Sequence, residues 1–229
     1  MGKEKIVVVI VLCIFVLAQT KRLPMTLEQH PLEPFLPENA TVLFLGSFPP
    51  PKQRWCMDFY YPNFQNDHWR IEGAVWFGDR DYFVDKVRKT FIKSKIVDFL
   101  NEKGIALYDT AQVVRRLKDN ASDAFLEIVE PTDLSALLKK IPHCHAIATT
   151  GEKATGAVCR YFGVDRIPSM GAVVDLESDL KKDHRLRLYR LPSSSRAFPM
   201  AFEKKVEAYR SMFEAITHRY DALDGGDAD

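Results

Sequence analysis
The sequence predicts an α/β protein, a three-layer α/β/α sandwich around a short four-stranded parallel sheet. Short β-branched or apolar runs alternate with longer stretches of helical periodicity along the chain. The segments between successive runs are long enough for the crossovers that parallel neighbours require. The 229 residues, 46% hydrophobic and 28% charged, suit one globular domain and exclude a disordered or polytopic membrane chain.

Each element has its own signal. TVLFL (41–45) is an apolar run that ends at Gly46 and reads as a buried strand. Before it, HPLEPFLPEN (30–39) is broken by prolines and extended. A long loop runs from Gly46 to about Gly78. Residues 81–101 carry Phe83, Val84, Val87, Phe91, Ile96, Phe99 and Leu100 and read as a helix, with Gly104 as its cap. Residues 105–108 form the second strand. Residues 124–129 and 132–140 read as helices, the latter capped by Thr132 or Asp133 after Pro131. The third strand is 146–149, a helix covers 152–162, and charged and apolar residues alternate in the fourth strand, 185–191. A long helix over 198–219 ends the domain, and the tail DALDGGDAD is acidic.

The formal net charge of +1 gives no global signal for nucleic acid, so any basic surface is local. Cys13, Cys56, Cys144 and Cys159 form no CxxC pair, and neither a disulfide framework nor an iron–sulfur site is expected. His143-Cys144-His145 invites a metal. Adjacent strand residues point to opposite faces, however, and a core cysteine is the simpler reading. The start, MGKEK followed by the apolar run 6–18, has the order of a signal peptide. The run is shorter than the ~20 residues of a comfortable membrane span. The preferred reading is an upstream extension over residues 1–24, with translation from Met25 of a cytoplasmic protein. A single domain then covers 25–221 and an acidic tail 222–229. Without the extension four basic residues and one acid are lost, which takes the net charge from +1 to −2.

In parallel sheets ligands bind beyond the carboxyl ends of the strands. Three loops leave those ends: GSFPP (46–50), TTGEKA (149–154) and LPSSSRA (191–197). GSFPP is a stiff turn and not a phosphate-binding loop, because Gly-x-x-x-x-Gly-Lys is absent. In FYYPNFQNDHW (59–69), Tyr60 and Tyr61 offer either a stacking platform for a base or core aromatics under a loop. Asn66 either caps a helix starting near Asp67 or presents an amide to a substrate. Ser193, Ser194, Ser195 and Arg196 carry phosphate-contacting donors, or cap the last helix. No Gly-x-Ser-x-Gly elbow surrounds these serines, which counts against an exported α/β hydrolase.

The order of these motifs resembles the uracil-DNA glycosylase superfamily, most closely its hypoxanthine-DNA glycosylase and mismatch-specific branch. That branch has a Gly-Ser-x-Pro-Gly motif, then Tyr-Tyr. An asparagine stands five positions beyond the second tyrosine and a tryptophan three further on; Tyr61, Asn66 and Trp69 keep those intervals. Its Leu-Pro-Ser second motif matches 191–195, and the likeness runs from 30 to 219. The resemblance implies a glycosylase fold and hydrolysis of the N-glycosidic bond of a deaminated base, uracil or hypoxanthine, flipped out of DNA. It implies Asn66 as the catalytic residue. It implies substrate contacts from Gly46, Ser47, Phe48, Tyr61, Thr150 and Ser193, with Tyr61 stacking on the base. Lys153, Ser194, Ser195 and Arg196 would meet DNA. It implies no cofactor, no metal and no iron–sulfur cluster, and a monomer whose partner is DNA carrying a damaged or deaminated base.

The chain departs from the family at Phe48, where most members have the Asp or Asn that orients water. Leu191 stands where the strongest uracil enzymes have a histidine. Pro50 replaces a glycine, and Thr149-Thr150 replaces an asparagine that reads uracil. Asn66 would then carry the chemistry. An amide is no base at neutral pH, but its carbonyl can position water and its NH2 can bond the base or sugar. Asp58 and Asp67 are reserves for orienting water, or plain surface ion pairs. The alternative function is a nucleic-acid or lesion-binding member of the same fold with weakened or absent catalysis.

Overall fold
Successive apolar residues on one strand need cover on both faces, and the run that ends at Gly46 receives it. The computed structural model describes residues 27–117, 125–178 and 185–224, with side chains described as far as 217. The chain opens with β1 (Leu27–Gln29), β2 (Val42–Gly46), α1 (His68–Phe77), β3 (Val84–Asp85), β4 (Thr90–Phe91) and α2 (Lys93–Lys103). Next come β5 (Ile105–Asp109), β6 (Ala111–Arg116), β7 (Leu126–Pro131), α3 (Leu134–Lys140) and β8 (Ala146–Thr149). Last are α4 (Glu152–Tyr161), β9 (Val173–Leu176), β10 (Leu186–Arg190) and α5 (Phe202–Asp224).

The central sheet has the order β5-β2-β8-β10-β9. β5, β2, β8 and β10 are parallel, and β9 pairs antiparallel with β10 at the edge. The expected four parallel strands are therefore present, with an edge strand that the sequence reading did not anticipate. Phe44 of β2 packs on His68 of α1 and Tyr209 of α5, ring centroids 5.6 and 6.1 Å away. Phe99 brings α2 into the same layer through Trp76 and Phe83. On the opposite face Thr149 bonds Thr155 of α4 at 2.9 Å. Tyr161 of α4 donates to Asp133, which caps α3. The result is the expected three-layer α/β/α arrangement.

Several local assignments change. Residues 81–101 are not one helix. Asp85 Oδ1 accepts the N–H groups of Val87 and Arg88, and Lys89 adopts a φ of 51°. That turn folds the segment into the β3–β4 hairpin, and only then does α2 begin. Its end at Gly104, φ 62°, is the expected left-handed cap. Residues 126–131 are strand β7 and not helix, because β6 offers an antiparallel partner from Ala111 to Arg116, with register shifts around Val113, and Ile128 and Val129 favour the extended state. β1, β6 and β7 form a second sheet, and Phe48 packs against its apolar face of Ala111, Val114 and Leu126. The long loop after Gly46 contains α1, in which every residue from His68 to Gly73 is buried. Burial all round removes the amphipathic signal. The last helix starts at Phe202, not 198.

Among the described residues no helix is long and apolar enough to cross a membrane. The extension expected over 1–24 lies outside the described residues, as does 225–229 of the tail.

Candidate active site
The loops leaving β2, β8 and β10 do meet. A cleft of about 780 Å³ is lined by Gly46, Ser47, Phe48, Tyr61, Asn66, Thr150 and Ser193, by neighbours from the same loops, and by Leu32 and Asp109. The contact that closes it is backbone to backbone. Asn66 and Ser195 form an antiparallel bridge, and Asp67 N–H donates to the Ser194 carbonyl at 3.0 Å. Two segments far apart in sequence thus share one short ladder at the rim.

The aromatic-rich stretch divides its labour. Phe59, Tyr60 and Trp69 are buried in the core. Trp69 donates its indole N–H to the Tyr60 carbonyl at 3.0 Å, and Tyr60 donates to the Glu33 carbonyl at 2.8 Å. These bonds hold a non-periodic segment in one shape. Tyr61 differs, with a φ of 49°, a left-handed conformation uncommon for a bulky residue. That turn brings its ring flat onto His68, centroids 3.6 Å apart and planes 17° apart, and places Tyr61 among the cleft-lining residues. Its hydroxyl bonds Thr150, and burial pushes its pKa well above the usual phenol value. The ring is therefore a neutral, rigid plate.

Beneath that plate lies a buried polar pair. His68 and Glu72 are each 1% exposed. Burial lowers His68 to about 3, and burial raises Glu72 to about 8 despite a bond from Trp76 Nε1. Both are uncharged near neutrality, and their nearest approach is 3.9 Å.

Of the two roles weighed from its sequence position, Asn66 fills the one at the helix start. Its Oδ1 accepts the His68 N–H at 2.9 Å, which opens α1. Its side-chain oxygen thus has a structural duty; Asn66 also lines the cleft, and its amide carries two N–H donors besides. Asp67 takes a bond from Arg196 Nε at 2.8 Å, and Gln65 takes a second from the same guanidinium at 3.0 Å. Lys205 Nζ donates to the Ser195 carbonyl at 2.7 Å. The serine loop is strapped down from both sides. Ser194 is 2% exposed and its hydroxyl bonds Tyr209. Lys153 stands outside the cleft, with its ammonium on the Leu126 carbonyl. Asp58 pairs with Lys52 on the surface at 2.8 Å. Leu191 is buried in the core.

The sequence reading missed one acid. Asp109, the last residue of β5, lines the cleft and accepts a bond from His30, Nε2 to Oδ2 at 2.9 Å. The signal was available: it ends a parallel strand, the same rule that selected the other three loops. Among the described residues no group of His, Cys, Asp and Glu is arranged to hold a metal ion.

Among solved structures, the chain is similar to the solution NMR structure of a candidate uracil DNA glycosylase from Methanosarcina acetivorans. The TM-score is 0.51 at 23% identity, over 82% of this chain and 99% of that one. The likeness is one of fold. No protein-family model matches the sequence, and no curated protein matches it.

Proposed function
We propose that this chain is a monofunctional DNA glycosylase of the uracil-DNA glycosylase superfamily. It acts as a monomer on DNA and hydrolyses the N-glycosidic bond of a flipped-out deaminated base, uracil or hypoxanthine. The observation that carries this reading is the meeting of Tyr61, Asn66 and Ser193 around one cleft at the carboxyl end of a parallel sheet. The shared fold with a candidate uracil DNA glycosylase supports it.

Flipping costs a few kcal/mol and is cheapest for mispaired bases. A base laid on the outer face of Tyr61 regains about 1–3 kcal/mol. The strapped loop of Ser193, Ser195 and Arg196 fills the space the base leaves. Bond cleavage puts positive charge on the sugar and negative charge on the base. Backbone N–H groups of the Gly46 turn and the Asn66 NH2 stabilise that anion.

Asn66→Ala is expected to abolish release of uracil or hypoxanthine while binding to the same duplex survives in a gel-shift assay. Asn66→Ser retains a capping acceptor for α1 and separates lost chemistry from a damaged helix start. Unchanged release by both variants would remove Asn66 from the reaction. Binding without release by the native protein would leave a lesion-binding member of the fold.

A further inference from the structure
We propose that Asp109 is the carboxylate that activates the attacking water and that His30 positions it; this rests on the glycosylase reading above. The need arises from two observations. Phe48 stands where a water-orienting acid or amide would be expected, and its ring is packed edge-on against His30, centroids 5.3 Å apart. The Asn66 oxygen is engaged by the His68 N–H. Neither supplies a proton acceptor.

Asp109 does. Among the described residues it is the sole carboxylate lining the cleft. Its Oδ2 is held by His30 Nε2 at 2.9 Å, and the His30 ring is itself fixed. His30 Nδ1 lies 2.7 Å from the Leu32 carbonyl, and Tyr108 flanks the ring at 4.7 Å. The His30 side chain is 3% exposed and that of Asp109 11%. Oδ1 lies against Gly46, in space a Cβ there would fill. One oxygen is thus tied to a buried imidazole and the other lies against Gly46, itself a cleft-lining residue.

The step balances. The water oxygen bonds to C1′ as the C1′–N bond breaks, and the bonding pair leaves with the base. Asp109 accepts the proton of the water, and solvent carries that proton to the departing base, which restores the carboxylate. An acceptor placed in this way contributes about 100-fold or more to such a step.

The test is single-turnover base release from uracil- and hypoxanthine-containing duplexes, with Kd measured in parallel. Asp109→Asn is expected to bind at native affinity and release base at least ~100-fold more slowly. Asp109→Ala opens space beside Gly46, and added formate is expected to restore part of its rate. His30→Gln keeps a donor to Oδ2 and should retain more activity than His30→Phe at equal Kd. Native protein that releases no base from any duplex overturns the glycosylase reading and this inference together. Native release with Asp109→Asn close to the native rate, or no formate rescue of an Asp109→Ala protein that still binds, overturns the role of Asp109 alone.

Discussion
Asp109 Oδ1 occupies the space that a side chain on Gly46 would need. The two residues are register partners across β2 and β5, and Thr110 N–H donates to the Gly46 carbonyl at 2.9 Å. Gly46 carries no positive φ, so its glycine identity answers to crowding by the acid. Gly46→Ala is expected to destabilise the protein by about 1–3 kcal/mol, the usual cost of overpacking. The same change in an Asp109→Ala background should cost much less, because the collision is gone. Thermal melts of both single variants and the double variant check this. Additive losses would show that the two side chains do not compete for the same volume.

Tyr61 offers a second discriminating pair. Tyr61→Phe loses the bond to Thr150 but keeps the plate stacked on His68. Tyr61→Ala loses the plate. Anisotropy with a uracil-containing duplex should show Tyr61→Ala weaker by about 1–3 kcal/mol and Tyr61→Phe near native. Equal affinities for Tyr61→Ala and native protein would place the base elsewhere.

The pair under that plate sets a pH dependence. His68 takes up its proton at about 3 when folded and 6.5 when free, so stability grows as pH rises through that interval. Glu72 releases its proton at about 8 when folded and 4.5 when free, so stability falls as pH rises through that one. The slopes oppose each other between 4.5 and 6.5, which gives a plateau, and above 6.5 Glu72 alone lowers stability up to about 8. Melting temperature against pH should show the plateau and then the decline. Glu72→Gln should abolish the alkaline decline; a decline that persists in that variant would assign it to another group.

Arg196 separates loop support from phosphate contact. Its guanidinium already serves Asp67 and Gln65. Arg196→Ala is therefore expected to weaken DNA binding by loosening the serine loop, with the slope of log Kd against log salt unchanged. A residue on a phosphate would lower that slope by about 1. Titrations across salt concentrations decide the matter.

The parallel sheet was legible because three of its strands are short apolar runs, as 42–45 illustrates, the fourth alternates charged and apolar residues, and crossover lengths separate them all. The β3–β4 hairpin was not, because Phe83, Val84 and Phe91 also fit a helical stripe and only the side-chain bonds of Asp85 break it. β7 was misassigned because its pairing partner, β6, is a tertiary fact. At the site, Tyr61, Asn66 and Ser193 could be placed by the strand-end rule and by interval. The duties of Ser194 and Lys153 could not, since their partners Tyr209 and Leu126 lie far away in sequence. His30 is likewise brought to Asp109 only by folding, across 79 positions.

The most direct measurement is the product formed by excess native protein on duplexes carrying uracil or hypoxanthine, with free base detected by mass spectrometry and abasic strand by alkali cleavage. Equal amounts of free base and alkali-labile strand from at least one duplex are expected. Intact strands and no free base from either, at protein concentrations that saturate binding, would contradict base excision in this cleft.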